Sequence, residues 1–375
     1  MSHVAIDVRN NWLGGGIGQY VHHIAAGLGG TYDLLGLAHR EDAEGFDFPV
    51  VKSRLTQRFV ESRILSRLLP VSYNRLVGLM DVDCFVFPNN TMPAFRVEAP
   101  TVAVIHDMLP IRIKDFMRRE GHGDRWFRAY ENKYRTVAER ADVICTVSEY
   151  TRNDVARTFG VSPDRFALVP PGADLGVYSS RDEALDAEVG KRLGLPDRYV
   201  LYVGSNRAYK NVQGLIRGYA ALPQALRSDV ALVFSHGAGE LKPLAESLGV
   251  GDRVRFLGGI EEKDKPSVYR LASVFGFLSY FEGFGMPALE AMAAGVPVLA
   301  SNRASVPEVV GAAGLVVDPD DLSAVAQGLE RILSDRPLRV RMAEEGQRRA
   351  ALFTWEESVR KMSAAIEKAM KGGAR

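Results

Sequence analysis

Two glutamates flank a glycine-rich turn in the second half of this chain. The segment FEGFGMPALEAMAAG places Glu282 before the turn and Glu290 after it, with seven residues between them. Gly283 and Gly285 let the backbone approach a ligand closely, and Pro287 is typical of the first position of a helix. The unpaired N–H groups at such a helix N-terminus attract an anion such as a diphosphate. We expect Glu290, in the first helical turn, to accept hydrogen bonds from a vicinal diol such as that of ribose.

Polar or glycine residues also follow three of the apolar runs. His106 ends the run TVAVIH, and the carboxyl end of a buried strand is where α/β domains bind ligands. Arg207 and Lys210 lie in SNRAYKN after the run YVLYVG, and Gly16 and Gly18 lie in GGGIGQY after the run VAIDV. Taken alone, each segment also has an ordinary structural interpretation: a buried histidine, a solvated basic turn, and a flexible turn between a strand and a helix.

Several common enzyme motifs do not occur in the sequence. The glycines of GGGIGQ do not spell G-x-G-x-x-G, which disfavours a nicotinamide-dependent dehydrogenase. Neither a P-loop nor G-x-S-x-G nor H-E-x-x-H is present. Because His22 and His23 are adjacent, they would point to different sides of a helix and are poorly placed to share a metal ion.

The elements that would position these residues follow an alternating pattern. Eleven short apolar runs alternate with helix-like stretches, as in parallel sheets covered by helices. The runs span 4–8, 32–38, 83–88, 101–106, 142–148, 165–170, 199–204, 230–236, 253–258, 274–279 and 296–301. A polar stretch at 174–197 interrupts them. We therefore expect one domain over 1–175, a linker with a short helix over 176–196, and a second domain over 197–353. A C-terminal helix over 354–375 could pack back on the first domain.

Composition is compatible with two globular domains. The 375 residues are 46% hydrophobic and 25% charged, which is ordinary for folded proteins. The net charge of +1 argues against nucleic acid as a partner. Cys84 and Cys145 lie in apolar runs, so we expect buried, reduced thiols. The sequence shows no signal-peptide pattern and no run near the ~18 apolar residues of a membrane-spanning helix, so we expect a cytoplasmic protein.

The segment with the two glutamates closely resembles the E-x7-E motif of retaining family 4 glycosyltransferases of the GT-B fold. Four further segments occur in the order that this family shows, and the resemblance covers nearly the whole chain. These segments are GGGIGQY, AVIHDMLPI, VPPGADL and YVGSNRAYKNV. The resemblance implies an α/β protein with two doubly wound, Rossmann-like domains and an active-site cleft between them. The first domain would receive the acceptor, and the second would bind the nucleotide-sugar donor.

The resemblance also implies roles for individual residues. His106, Glu282 and Lys210 match the catalytic positions of the family: His106 beside the donor sugar, Glu282 on its hydroxyls and Lys210 on the diphosphate. The family's arginine has no direct match, because Tyr209 and Ser205 stand where it usually occurs, so Arg207 is assigned the second phosphate contact. The donor-binding positions are Gly16, Gly18, Arg207, Lys210, Ile260, Gly283, Phe284, Gly285, Met286, Pro287 and Glu290.

The expected reaction is transfer of a hexose with retention of anomeric configuration. Lys210, Arg207 and the helix beginning at Pro287 would stabilise the charge on the departing diphosphate, so we expect neither a metal nor a cofactor beyond the nucleotide sugar. Resemblance to bacterial mannosyltransferases of surface-polysaccharide assembly favours GDP-mannose, with a UDP-hexose or UDP-N-acetylhexosamine as alternative. The acceptor would be a glycan, a glycolipid or a small soluble molecule. A nucleotide-sugar epimerase and a non-catalytic binding subunit are the competing functions.

Residues 52–69 form a basic, amphipathic pattern in the first domain. The longer segment 52–76, KSRLTQRFVESRILSRLLPVSYNRL, contains six basic residues and one acid, Glu61, with apolar residues at helical spacing up to Leu69. The pattern predicts a helix that ends at Pro70. Its apolar face would either cover the sheet or rest on an anionic membrane at the inner face, with the basic residues between Arg112 and Arg128 extending the surface.

Overall fold

The computed structural model describes residues 1–8, 15–39, 46–53, 81–90, 92 and 97–372. The chain divides into two compact units, one of Met1–Gly172 with Trp355–Arg375 and the other of Ala173–Thr354. Each unit contains a parallel sheet covered by helices.

The first unit is built on a seven-stranded sheet of order β3-β2-β1-β4-β5-β6-β7 within the described residues. Its strands are β1 (His3–Asp7), β2 (Asp33–His39), β3 (Val50–Ser53), β4 (Cys84–Phe87), β5 (Thr101–Ile105), β6 (Val143–Thr146) and β7 (Phe166–Leu168). All pairs are parallel; Val4 of β1, for example, lies opposite Leu34 of β2 and Cys84 of β4. The apolar runs form central strands because both faces of such a sheet are buried.

Helices from both ends of the chain cover this sheet. They are α1 (Gly16–Leu28), α2 (Leu109–Arg112), α3 (Lys114–Arg119), α4 (Asp124–Arg140), α5 (Glu149–Phe159) and, from the C-terminus, α16 (Trp355–Gly372). Tyr134 and Val137 of α4 pack with Phe85, Ile105 and Ile144 in one apolar core. The last helix, α16, packs against α1 and beside β4, β5 and β6.

The second unit contains a six-stranded parallel sheet of order β10-β9-β8-β11-β12-β13. Its strands are β8 (Tyr199–Tyr202), β9 (Ala231–Phe234), β10 (Val254–Phe256), β11 (Val274–Phe277), β12 (Val298–Ser301) and β13 (Leu315–Val317). In sequence terms this order is 3-2-1-4-5-6, which is the order of a Rossmann fold. Strand order therefore reverses between β8 and β11, and the ligand site of such a sheet lies at the carboxyl ends of the strands at this point.

The helices of the second unit lie between and beside these strands. They are α6 (Leu175–Ser179), α7 (Glu183–Arg192), α8 (Val212–Ala220), α9 (Gln224–Asp229), α10 (Leu241–Ser247), α11 (Lys265–Arg270), α12 (Met286–Ala293), α13 (Val306–Val310), α14 (Leu322–Ser334) and α15 (Arg336–Ala350). Leu215 of α8 and Leu329 of α14 pack with Val200, Tyr202 and Leu299 in the core of the unit.

Each of the eleven predicted apolar runs contains a strand, and Cys84 and Cys145 are buried and free, as expected. Two edge strands, β3 and β13, were not predicted. The predicted linker, 176–196, lies inside the second unit, which begins at Ala173 and places α6 and α7 in this stretch. Lys52, the first residue of the predicted basic helix, lies in β3, and residues 54–80 lie outside the described part of the chain.

Candidate active site

Lys210 and Glu282 meet at the point where the strand order of the second sheet reverses. Lys210 follows β8 and Glu282 follows β11, and these two strands are neighbours in the sheet. The Lys210 Nζ lies 2.7 Å from Oε1 and 2.9 Å from Oε2 of Glu282, so both carboxylate oxygens accept from one ammonium group. The two side chains are only 15% and 11% exposed, which limits screening of the pair by water.

The loop after β8 is held by local capping. Lys210 ends a short 3-10 turn, and Asn211 follows with a left-handed backbone (φ 50°). The Asn211 side chain caps α8 by accepting from the backbone N–H of Gly214 at 3.2 Å. The same side chain donates to the carbonyl of Pro319 at 3.1 Å. Arg207 is exposed and makes no ion pair with any described residue. The second basic side chain is therefore available to an incoming anion.

The glycine-rich turn after β11 requires a glycine at its last position. Gly285 precedes α12 with φ 109°, and an added Cβ would lie 3.2 Å from the ring of Phe277. The buried hydroxyl of Ser305 lies 2.9 Å from the carbonyl of Glu282 and 3.1 Å from that of Phe284, so one O–H is shared between them. Gly283, Met286 and Pro287 complete the turn and are half-buried.

Glu290 lies deeper in the unit than the sequence predicts. Since α12 begins at Met286 and Pro287 is its second residue, Glu290 is the fifth helical residue and lies in the second turn, not the first. Its side chain is 5% exposed. The Tyr269 hydroxyl donates to Oε2 at 2.9 Å, and the Lys265 Nζ lies 3.9 Å from Oε1. Burial raises the pKa of Glu290, while Lys265 and hydrogen bonds from Tyr269 and Tyr178 oppose that rise.

An open backbone surface follows β10. Gly258 and Gly259 have φ values of 75° and 139°, and a Cβ at either would meet no atom within 4 Å. Ile260 comes next and is half-buried. A flat group could approach this backbone closely because no side chain stands in the way.

His106 lies at the corresponding edge of the sheet in the first unit. It follows β5, and its backbone N–H donates to the Asn90 side chain at 2.5 Å. The ring Nε2 lies 2.7 Å from the Pro88 carbonyl, which can only accept, so Nε2 carries the proton and Nδ1 remains as an acceptor. Burial lowers the pKa of His106 to about 4, against the opposing effect of the Pro88 hydrogen bond. The imidazole is therefore neutral near pH 7.

The start of α1 contributes to the surroundings of His106. Gly16 opens the helix after Gly15, whose φ is 120°, and Gly18 is buried within the first turn. Tyr20, further along α1, places its ring edge-on to His106 at 4.8 Å between centroids. Its hydroxyl donates to the Val169 carbonyl at 3.1 Å. Tyr20 thus contacts His106 from the helix that the glycine segment opens.

The structure therefore brings Lys210 together with Glu282 and surrounds Glu290 with residues that the sequence reasoning missed. Lys265 and Tyr269 lie four residues apart on α11, and this spacing could have indicated a shared face toward one partner. Ser305 and Tyr178 gave no comparable signal, because each reaches the site from a separate part of the chain.

Ligands for a metal do not cluster in the described part of the chain. No group of three or more His, Cys, Asp or Glu residues there could hold a metal ion. The sequence contains two Asp-x-Asp pairs, Asp81 with Asp83 and Asp318 with Asp320. Asp318 and Asp320 both pair with Arg303, at 2.8 and 3.1 Å. Among the described helices, none is long and apolar enough to cross a membrane.

Comparison with known proteins points to one class. Sequence models of two families match the chain: Glycosyltransferase Family 4 over residues 14–177 and Glycosyl transferases group 1 over residues 188–349. The O-antigen chain mannosyltransferase B of Escherichia coli is 34% identical over 286 residues, which cover 74% of this chain and 73% of that protein. The D-inositol 3-phosphate glycosyltransferase of Corynebacterium glutamicum (strain R) is 30% identical over 239 residues, 60% of this chain and 57% of that protein.

A solved structure has the same architecture. HepE of Anabaena, determined in complex with UDP and glucose, superposes with a TM-score of 0.76 over 98% of this chain and 100% of that chain, at 18% identity. The two parallel sheets and the matches to both family models identify a glycosyltransferase of the GT-B fold. The chain belongs to glycosyltransferase family 4, and its second half matches the group 1 model. The predicted fold class and family are confirmed.

Proposed function

We propose that the protein transfers a mannose residue from GDP-mannose to a hydroxyl of a glycan or glycolipid acceptor, with retention of anomeric configuration. The main support is the Lys210–Glu282 pair at the point where the strand order reverses, since it combines a phosphate-binding cation with a carboxylate for sugar hydroxyls. Similarity to a protein named O-antigen chain mannosyltransferase B favours mannose and a surface polysaccharide.

The diphosphate would be recognised by Lys210, Arg207 and the turn before α12. As the bond to the anomeric carbon breaks, negative charge grows on the departing diphosphate, and positive groups fixed nearby lower the barrier. Each such contact contributes about 2–4 kcal/mol when the donors are preorganised. Lys210 would exchange its contact with Glu282 for the phosphate, and this exchange would free Glu282 to accept hydrogen bonds from the sugar.

The nucleoside would be recognised by Glu290 and by the backbone after β10. A carboxylate accepts hydrogen bonds from both hydroxyls of a ribose. The open backbone at Gly258 and Gly259, with Ile260 beside it, suits a flat nucleobase.

The first unit would contribute His106 together with Gly16 and Gly18. Because the imidazole is neutral and its Nε2 donates to Pro88, it would offer Nδ1 as an acceptor to a sugar hydroxyl. The helix start at Gly16 presents backbone N–H groups without a side chain in the first position.

Retention would follow from attack on the same face that the diphosphate leaves, with a phosphate oxygen taking the proton of the acceptor hydroxyl. No cofactor and no metal would be needed if the basic groups balance the leaving charge. The test is the anomeric configuration of the product by NMR and the rate in excess EDTA. An inverted product, or loss of activity with EDTA that Mg²⁺ restores, would contradict this scheme.

The donor is tested by thermal stability in the presence of GDP, UDP and dTDP. A ligand that binds only the folded state raises the melting temperature by mass action. We expect the largest rise with GDP and transfer from GDP-mannose only when acceptor is present. Consumption of donor without any acceptor would favour an epimerase instead.

A second candidate function has its own support. The 30% identity to a protein named D-inositol 3-phosphate glycosyltransferase favours a small soluble acceptor. In that case the donor would be a UDP-hexose or UDP-N-acetylhexosamine. A larger thermal shift with UDP than with GDP would favour this alternative.

Peripheral contact with an anionic membrane is also proposed for the first unit. Arg119, Arg125 and Arg128 are exposed on α3 and α4, in addition to the basic residues of 52–69. Each basic residue near an anionic bilayer contributes about 1 kcal/mol. We expect sedimentation with anionic liposomes at low salt, weakened by replacing Arg58, Arg63 and Arg67 together by Glu. Absence of binding by the wild-type protein would favour a soluble acceptor.

A further inference from the structure

We propose that Lys265, Tyr269 and Tyr178 are positioning residues that keep the Glu290 carboxylate ionised and oriented toward the ribose of the donor. This inference rests on the proposed role of Glu290 in ribose recognition. It assigns a function to three side chains that lie outside the glycine-rich turn and outside every motif quoted above.

Two of the three residues come from one face of α11. Lys265 and Tyr269 lie four residues apart, so their side chains are neighbours on the helix. The hydroxyl of Tyr269 donates to Oε2 of Glu290 at 2.9 Å, while the ammonium of Lys265 lies 3.9 Å from Oε1. Lys265 therefore acts mainly through its charge, and Tyr269 acts through a directed hydrogen bond.

The third residue is held in place by a buried ion pair. The Tyr178 side chain lies near enough to Glu290 to oppose the rise in its pKa, and its ring lies 5.8 Å from that of Tyr269 between centroids. The Arg270 guanidinium donates to the carbonyls of Val177 at 3.1 Å and Tyr178 at 3.3 Å. Arg270 is fixed in turn by Asp186, at 2.6 Å, with side chains 6% and 11% exposed. The end of α6 is thus anchored so that the Tyr178 hydroxyl reaches Glu290.

The hydrogen-bonding capacity of the carboxylate matches this arrangement. An ionised carboxylate offers roughly four acceptor sites. Tyr269 occupies one of them and Tyr178 lies beside the carboxylate, which leaves at least about two for a vicinal diol. A protonated Glu290 would lose acceptor capacity, and a mobile one would pay an entropic cost on each binding event. The surrounding groups address both problems.

Few other charges act on Glu290. Glu262, just before α11, opposes ionisation, but it is itself paired with Lys265 at 3.0 Å. The strands β11 and β12, with sequences VFGF and VLAS, carry no ionisable side chain. Arg349 of α15 donates to the backbone carbonyls of Glu308 and Val309 on α13. Neither the Arg349 side chain nor the Glu308 side chain is among the groups that shift the pKa of Glu290. Lys265 is therefore the principal cation at this carboxylate.

The test compares nucleotides with and without the diol. Calorimetry measures the Kd of GDP and UDP, and of their 2′,3′-dideoxy analogues, between about pH 5 and about pH 8 for the wild-type protein and Lys265→Met. Removing the lysine raises the pKa of Glu290 further, so the preference for the ribonucleotide should disappear at a higher pH in the variant. For each unit that the pKa rises, the ionised fraction falls about tenfold at pH values well below it. Binding of the dideoxy analogues should change little.

Matched variants separate positioning from folding. Lys265→Arg restores the charge and should restore the wild-type pH profile. Lys263→Met removes a lysine that is 74% exposed and paired with Glu261, and it should leave the profile unchanged. Tyr269→Phe and Tyr178→Phe should weaken the ribonucleotide preference across the whole pH range, because a directed hydrogen bond is lost. If Lys265→Met fails to fold, Lys265→Gln serves in its place.

The outcomes are distinct. If the wild-type protein prefers the ribonucleotide and Lys265→Met loses this preference at the same pH, the inference about Lys265 is overturned, while the proposed role of Glu290 stands. If the wild-type protein binds ribo- and dideoxy-nucleotides equally, Glu290 does not hold the ribose, and both the inference and that part of the proposed function fail.

Discussion

Lys210 and Glu282 neutralise each other in the structure. A bidentate contact between two largely buried groups is favourable, whereas either group alone would carry an uncompensated charge. If the donor binds at this pair as proposed, a phosphate would replace the Glu282 carboxylate as the partner of Lys210. In such an exchange Lys210 would face an anion both before and after binding.

Replacement of Lys210 tests this exchange. We expect Lys210→Ala to lower kcat by roughly 30- to 1000-fold, which corresponds to the ~2–4 kcal/mol of one preorganised contact to a developing negative charge. Lys210→Arg keeps the charge and should lose less. Steady-state rates at saturating donor measure the effect, and Lys242→Ala, on the exposed side of α10, is the control. Equal losses for Lys210→Ala and Lys210→Arg would show that geometry, not charge, is decisive.

The neutral state of His106 has a consequence for stability. The pKa of His106 is lowered by burial from 6.5 to about 4 in the folded protein. Between these two pKa values the unfolded chain binds more protons than the folded protein does. The stability that the folded protein has with a neutral His106 is therefore fully present above pH ~6.5 and is lost as the pH falls toward ~4. Near pH 5 the loss amounts to about 2 kcal/mol.

We therefore expect His106→Gln to be less sensitive to mild acid than the wild-type protein. Thermal unfolding at about pH 7.5 and about pH 5 gives the drop in Tm for each, and the drop should be smaller in the variant. His122→Gln, which removes a histidine that stacks on Trp126 instead, controls for the loss of one titratable group. An identical drop in wild type and His106→Gln would show that His106 takes up a proton equally well in both states.

At the scale of elements, the sequence predicted all the central strands and two of the four edge strands, β7 and β10, but missed the edge strands β3 and β13. The eleven runs that became strands are apolar because helices cover both faces. An edge strand has only one neighbour and carries a weaker pattern: β13 has three residues, and its Val316 is 37% exposed. In β3, two valines precede Lys52. The strand was not predicted because Lys52 was assigned to the start of the basic helix.

The candidate site was predictable only where one segment carries the chemistry. The glycine-rich turn with Glu282 was found because its glycines, proline and carboxylates are contiguous. Tyr178 and Tyr269 could not be found, because they meet Glu290 through the packing of α6, α11 and α12 and have no local pattern of their own. The predicted first-turn position of Glu290 was wrong because the helix starts after Gly285, whose left-handed backbone ends the loop.

Close helix packing in both units depends on single glycines. An added Cβ at Gly27 of α1 would lie 2.3 Å from a methyl group of Val359 on α16, and one at Gly218 of α8 would lie 2.3 Å from Val325 on α14. Both distances are far below van der Waals contact, so these glycines set how closely the helices approach.

Substitution at Gly27 tests this packing. We expect Gly27→Ala to destabilise the protein by about 1–3 kcal/mol through overpacking, an effect that exceeds the ~1 kcal/mol gain in helix propensity. In a Val359→Ala background the same substitution should become neutral or stabilising, because the obstructing methyl groups are gone. Thermal denaturation of the four proteins gives the coupling. Gly30→Ala, where an added Cβ meets no atom within 4 Å, is the control. If the effects of the two substitutions on the free energy of unfolding were additive, the contact between Gly27 and Val359 would not limit how closely the helices approach.

At the scale of the whole molecule, the two units differ in how the chain builds them. The second unit is continuous from Ala173 to Thr354, whereas the first is completed by the last helix of the chain. In that helix Met362 and Ile366 are fully buried, and Ser358 donates to the Pro170 carbonyl at 2.6 Å. Without α16 the first unit would expose this apolar surface and leave polar groups without partners.

The units should therefore behave differently when expressed alone. We expect residues 173–354 to unfold cooperatively and to bind the nucleotide diphosphate within about tenfold of the full chain, because the sheet and the groups around Lys210 and Glu290 are all present.

Residues 1–172 alone should not unfold cooperatively. The backbone N–H of Ala173 donates to the Phe353 carbonyl at 3.0 Å, so the two ends of the second unit lie side by side. A short glycine-serine linker should then join residue 172 to residue 355 and restore a cooperatively folded first unit. Circular dichroism melts and calorimetry check each piece. Cooperative unfolding of 1–172 without α16 would show that the C-terminal helix is dispensable for the first unit.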